Sequence, residues 1–399
     1  MASQTMTTET APRSRIATYS AFAFFLLVAN LRPALTSVGP LVGVIRSSLN
    51  LSGAEVGLLG TLPLLFFAGF SPLARLGEVF GIERTLAGCL AMVAAGVALR
   101  SEGSIAALFV GTAIFSTGIA VANVLVPSLI KRDFPHQVGP VTTAYVMVMS
   151  LTAAAATGLA VPLSAHLTGG WRSSLAVWAA FAGLALVCWL PETRKASLVI
   201  LPPQPSKAAA TPAVWRSVLA WQVTIFMGVQ FLIYYVTIGW IPLLLAAHGF
   251  AMVDAGWLLT LYQMVGFAIG FVAPALLRQG RDQRVLAAAA SLITAGSILG
   301  LMAAPRMASL WLTIGGASFG LTFILAFAFI GMRTADHRRA AALSTMSQAS
   351  AYLIAATGPI AFGWLRDLSA GWAVPMTSLL AVAVIQCIVG FSAGREGQV

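Results

Sequence analysis

Apolar residues fill this chain in long blocks, and polar residues gather in the short stretches between them. Crossing a hydrocarbon layer of ~30 Å takes a helix of about 20 mostly apolar residues. Runs of that kind occur at 16–45, 54–75, 84–100, 104–130, 138–166, 171–191, 216–247, 252–277, 284–303, 307–332, 341–367 and 372–394. Most connections are short. The exception is PETRKASLVILPPQPSKAAATP (191–212), rich in proline and lysine, which reads as a linker between helices six and seven. The pattern predicts an all-α membrane protein of twelve transmembrane helices. A tail over 1–15 precedes a six-helix half over 16–191, a linker over 192–215, a second half over 216–394 and a tail over 395–399.

The pattern also repeats at an offset near 200 residues. Gly57, Leu59, Thr61 and Leu62 match Gly256, Leu258, Thr260 and Leu261. RTLA at 84–87 meets RVLA at 284–287, AATG at 155–158 returns at 355–358, and Gly170-Trp171 returns as Gly371-Trp372. The shared order and near-constant offset point to two parallel six-helix repeats.

Composition agrees with a bilayer as solvent. Of 399 residues 59% are hydrophobic and 9% charged, with mean hydropathy +0.90, against about 25% charged in soluble domains. The net charge of +11 forms no basic stripe interleaved with aromatics, so nucleic acid is not an expected partner. Placing the N-terminus in the cytoplasm puts 17 of the 23 Lys and Arg on the cytoplasmic side. Five (Arg46, Arg100, Arg172, Arg306 and Arg366) fall outside, and Arg32 lies within a helix. That excess follows the positive-inside rule, with both termini cytoplasmic. The first apolar run is too long for a signal peptide and is kept as helix one. Cys89, Cys188 and Cys387 lie in apolar runs without pairing or metal spacing and read as packing residues.

NLRPALTSVGPLV in helix one, followed by GLLGTLPLLFFAGFSPLARL and GIERTLAG, resembles the cyanate and 2-nitroimidazole transporter family of the major facilitator superfamily. The resemblance runs through the whole chain and is strongest over 28–100. It implies the major facilitator fold and alternating-access transport, with helices one, four, seven and ten lining a central cavity. The superfamily's Gly-x-x-x-Asp-Arg-x-Gly-Arg loop between helices two and three is eroded here to Ala74-Arg75-Leu76-Gly77-Glu78-Val79-Phe80-Gly81. The resemblance makes Glu78, Gly81 and Arg84 a gating loop, although Val79 replaces its arginine.

Arg32 carries the chemistry. Counted from Ser20, it sits about 18 Å along a helix rising ~1.5 Å per residue, too deep to snorkel to either surface. An arginine there costs roughly 2.5–3.5 kcal/mol on insertion scales, so it faces protein or a wet cavity. All twelve acids lie at predicted helix ends or in loops, so no helix core supplies a counter-ion. Arg32 is then either an anion site or a structural group bonded to helix carbonyls. Pro33 removes a backbone donor and bends the helix. The Asn30 amide either contacts a small ligand or satisfies a freed carbonyl.

Asn123, Gln230, Tyr234, Tyr262, Gln263 and Gln348 lie at comparable depth. Each either meets the solute or makes an interhelical hydrogen bond worth about 0.6 kcal/mol. Asn123, Gln230 and Tyr234 rank first by the resemblance, whereas Tyr145 and Tyr352 are weaker candidates, since aromatics near helix ends often belong to interfacial belts. His136, His337, His166 and His248 occupy loops and helix ends without metal-ligand spacing. No catalytic constellation or phosphate-cradling motif occurs, so neither an enzyme nor a cofactor is expected.

The expected activity is secondary transport of a small anionic or polar solute such as cyanate, by a monomer in a bacterial-type inner membrane. Efflux of small drugs such as nitroimidazoles is the alternative, and a channel or sensor ranks lower. In the expected cycle the solute pairs with Arg32, neutralises the cavity and lets the halves rock. The missing intramembrane carboxylates favour uniport or anion-dependent coupling, with proton co-transport of a weak acid left open.

Overall fold

In the computed structural model, which describes residues 11–135, 137–195, 212–277, 282–335 and 337–399, the chain is helical almost throughout. Span one is broken into α1 (Ala11–Ala29), α2 (Pro33–Thr36) and α3 (Val42–Leu49). Span two comprises α4 (Gly53–Phe70) and, after a 3-10 turn, α5 (Leu76–Phe80). Spans three to six are α6 (Ile82–Arg100), α7 (Ile105–Asp133), α8 (Val138–His166) and α9 (Trp171–Lys195). A short α10 (Pro212–Arg216) leads to α11 (Val218–Ala247), α12 (Met252–Leu277), α13 (Arg284–Ala303), α14 (Ala308–Met332), α15 (His337–Ser369) and α16 (Ala373–Ala393).

These spans match the twelve predicted runs to within a few residues. The predicted tail 1–15 is helical from Ala11, and most of the predicted linker falls outside the described residues. Eleven spans are long and apolar enough to cross a bilayer on their own. The twelfth, α15, carries Ser344, Ser347, Gln348 and Ser350 in its first half, and its polarity has a use inside the bundle. The Ser347 hydroxyl pairs with that of Thr224 on α11 at 2.9 Å, where both are buried.

The helix ends follow local chemistry. Ser52 opens α4 with a capping box: its hydroxyl accepts from the Glu55 N–H at 3.2 Å, and the Glu55 carboxylate accepts from the Ser52 N–H at 2.8 Å. Ser104 and Ser217 cap α7 and α11 in the same way. Gly81, between α5 and α6, has φ 87°, which L side chains avoid.

The two six-helix halves meet along α4 against α15 and α8 against α12. Thr61 donates to the Ala356 carbonyl at 2.7 Å and Thr260 to the Ala154 carbonyl at 3.1 Å. Gly57 passes so close to α15 that a Cβ would stand 2.4 Å from the Pro359 carbonyl oxygen. Gly57 and Thr61 are the repeat partners of Gly256 and Thr260. The internal repeat therefore encodes the contact between the halves twice.

Further out, Arg46 pairs with Asp367 at 3.4 Å, and the Asp367 carboxylate accepts from the Ala54 N–H at 3.2 Å. Among the described residues one ring contact crosses the halves, Phe67 against Tyr352 with centroids 5.4 Å apart. Hydrogen bonds joining the halves thus run from the middle of the bundle to the end opposite the C-terminus. At the C-terminal end the Val399 N–H donates to the Arg333 carbonyl at 2.8 Å.

Replacing Gly57 with Val should wedge α4 from α15. Spin labels at Ser47 and Leu368, exposed on opposite halves, should show a longer mean separation in the variant. An unchanged distance would mean that this glycine does not set the closure.

Candidate functional site

Span one breaks because its helical hydrogen bonds run out at Pro33. The N–H groups of Asn30 and Leu31 turn back to the carbonyls of Leu27 and Val28, three residues away, at 3.0 and 3.1 Å. Pro33 has no N–H to give. The Leu26 carbonyl, left without its usual donor, is taken by the Asn30 amide at 2.8 Å. Asn30 is 3% exposed, and its amide repairs the break.

Arg32 stands at the N-cap of α2 with φ −122° and ψ −37°, and its side chain is half-buried. Among the described residues the guanidinium makes one hydrogen bond, from Nη1 to the Tyr235 hydroxyl at 3.5 Å. It takes part in none of their ion pairs. Tyr235, Tyr234, Tyr352 and Tyr145 lie near enough to interact electrostatically with it, four of the six tyrosines in the chain.

An aromatic wall continues from there. Tyr234 stacks on Phe319 with centroids 4.7 Å apart, and Tyr352 contacts Phe231 at 5.2 Å. A planar cation beside flat aromatic faces can hold a planar acceptor by its fork and its π surface together.

Other predicted residues separate into distinct places. The Tyr234 hydroxyl donates to Gln263 at 3.5 Å, and the Gln263 amide donates across the halves to the Thr157 hydroxyl at 3.0 Å. Gln263 is therefore part of the seam between the halves. Gln230 is buried away in the C-terminal half. It donates to the Phe319 carbonyl at 3.3 Å and accepts from Gln386 at 2.6 Å. With Tyr262 it lines a cavity of about 20 Å³ within that half, whose lining does not include Arg32.

Gln348 donates to Ser344 on its own helix at 2.9 Å. Asn123 is half-buried on α7 and makes no hydrogen bond among the described residues. Of the predicted gating loop, Glu78 lies on α5, Arg84 lies on α6 and Gly81 joins the two helices, with Glu78 and Arg84 exposed. The acid that pairs nearby is Glu83, which meets Arg132 and so ties α6 to α7 within one half.

Tyr235 and the burial of Arg100 escaped the sequence reading, and two tyrosines ranked low in it lie beside Arg32. Tyr145 and Tyr352 face Arg32 rather than a membrane interface, and Tyr235 is its hydrogen-bond partner. Arg100, predicted outside at the end of helix three, is 1% exposed. Gly96 and Gly111 let the backbones of α6 and α7 touch, a Cβ on Gly96 standing 2.6 Å from the Gly111 carbonyl oxygen. That approach carries the Arg100 side chain inward, where Nη1 donates to the Ala34 carbonyl at 2.6 Å. Arg32 is therefore not the lone buried cation.

Residues 19–359 match the family model of the Major Facilitator Superfamily. The chain belongs to that superfamily. It is 42% identical to the 2-nitroimidazole transporter of Escherichia coli (strain K12), over 94% of this chain and 95% of that one. It is 26% identical to the cyanate transport protein CynX of the same strain, over 87% of this chain and 90% of that one. Among solved structures it resembles a bacterial homolog of the human lysosomal transporter Spinster in an inward-facing, occupied conformation. There the TM-score is 0.79 and the identity 15%, over 94% of this chain and 96% of that one. The expected cyanate and 2-nitroimidazole branch of the superfamily is thus borne out, and the chain is a multi-pass membrane transporter rather than an enzyme.

Replacing Asn30 with Ala should lower stability by about 1–3 kcal/mol, since it leaves the Leu26 carbonyl buried and unpaired. A drop in melting temperature with an unchanged half-saturation for solute would match its repair role. A changed half-saturation at wild-type stability would return Asn30 to the binding site.

Proposed function

We propose that this transporter moves a small planar solute that is anionic or carries paired acceptor oxygens, and that Arg32 is the group that recognises it. The observation that carries this reading is the state of that guanidinium. It lies at a backbone break inside a membrane span, half-buried, with one long hydrogen bond to Tyr235 and no ion pair among the described residues. A buried cation is costly to leave uncompensated, and a solute arriving with oxygens in a flat pair completes it.

Cyanate and nitrate meet this requirement by charge. A nitroimidazole meets it through its nitro oxygens, and its ring suits the stacked faces of Tyr234 and Phe319. The 42% identity to a 2-nitroimidazole transporter favours this ring-bearing solute over cyanate, whose named relative stands at 26%.

The positive-inside distribution supports a cytoplasmic C-terminal end. The hydrogen bonds joining the halves, from Thr61 and Thr260 out to Asp367, then lie on the outer side, which supports an inward-facing state. Solute neutralises Arg32, lowers the cost of enclosing it, and lets the halves rock about the two repeat-related seams.

The test is transport in proteoliposomes with labelled 2-nitroimidazole, cyanate, nitrate and a neutral control. Arg32→Ala should insert normally and lose transport by about tenfold or more, the worth of one charge-assisted contact or better. Arg32→Lys keeps the charge without the planar fork and should recover it in part. Wild-type transport by the alanine variant would defeat the assignment. Collapsing the pH gradient should leave the wild-type rate unchanged if a carboxylate-free uniport operates, and its loss would instead mark proton coupling.

A further inference from the structure

We infer that Arg100 heads a second anion site, separate from Arg32, built for one small monovalent inorganic anion of halide, nitrate or cyanate size. Arg100 spends Nη1 on the Ala34 carbonyl and lays its guanidinium 4.8 Å from the centroid of Phe115. Its Nε and Nη2 are buried and have no hydrogen-bond partner, and it joins no ion pair among the described residues.

Buried Arg333 shows the ordinary solution to the same problem. It donates to the carbonyls of Ala393 and Gly394 at 3.2 and 2.8 Å, at the end of α16. Arg100 has no such set of acceptors. An ion left in that condition costs several kcal/mol, which a resident counter-ion removes.

The free nitrogens belong to a residue lining a cavity of about 60 Å³ between the halves, whose other walls include Val38, Val56, Pro63 and Trp240. A water needs roughly 10–15 Å³ on this measure. The space therefore takes a small anion with a water or two. The walls offer no second cation, so a divalent anion would replace an unpaired positive charge with an unpaired negative one.

Tyr235 lines this cavity and also accepts from Arg32, so one residue adjoins both sites. Pro359, the contact of Gly57, forms part of the same wall. An anion here therefore stabilises the closed seam itself, whatever solute Arg32 carries.

The test uses the purified full chain in neutral detergent and follows its thermal unfolding. Sodium gluconate is exchanged stepwise for sodium chloride or nitrate at constant ionic strength. The melting temperature should rise and saturate with chloride or nitrate, and should not rise with sulfate. Arg32→Gln should keep that rise and Arg100→Met should abolish it. Arg100→Lys, which keeps the charge and loses the fork, should raise the half-saturating concentration about tenfold.

A rise that survives Arg100→Met, that vanishes with Arg32→Gln, or that is absent from the wild type would overturn the site. If the methionine variant does not fold, an unchanged half-saturation in Arg100→Lys overturns it equally. Loss of the Arg32 transport reading alone would leave these results untouched.

Discussion

A helix in lipid has to satisfy every backbone group within itself, and Pro33 makes that impossible at one point of the first span. The span falls short again where α2 stops after Thr36, and much of the centre of the molecule answers these two shortages. Asn30 bends back to cover the Leu26 carbonyl, Arg100 reaches in from α6 to cover the Ala34 carbonyl, and Arg32 is set at the start of a new short helix between them. Irregular backbone survives at membrane depth only where protein or a cavity receives it. Here the seam between the two halves does so.

That seam is assembled from small residues. Gly39 faces the Ile238 carbonyl, Gly57 faces Pro359, and Gly363 faces the Gly53 carbonyl, each at a distance that excludes a Cβ. Lipid gives apolar helices no reason to prefer one another, so close van der Waals approach and a few hydrogen bonds must hold the halves. Contacts of this kind are numerous but individually weak, and Thr61 and Thr260 each contribute a single hydroxyl. A joint made this way can open without exposing a large hydrophobic core, which is what alternating access requires.

The polar centre is correspondingly asymmetric. One half brings the guanidinium of Arg32, and the other brings Tyr234, Tyr235, Tyr352 and the aromatic wall behind them. A solute bound as proposed, held by both, would be sensitive to their separation, so binding and rocking would act on the same distance. Gln230, Gln386 and Tyr262 stiffen the C-terminal half from within, away from that interface.

Twelve apolar runs, their boundaries and the internal repeat were all legible along the chain. Each depends on composition over about 20 residues, which a bilayer reads in one dimension. What each polar side chain faces was not legible, because a 3.6-residue turn inside an all-apolar span gives no stripe to orient it. Thus Gln230 turned inward to Gln386, Asn30 served its own backbone, and Tyr145 and Tyr352 faced a cation instead of an interface.

Arg100 shows the limit most plainly. A terminal arginine before Ser101-Glu102-Gly103 has the look of a loop residue, and it is buried because Gly96 and Gly111 bring two helices into backbone contact. The sequence alone determined where the chain crosses the membrane and that a cation lies within. Only the tertiary structure decided which neighbours share that cation's space, since helix rotation and approach are set by packing between segments far apart along the chain.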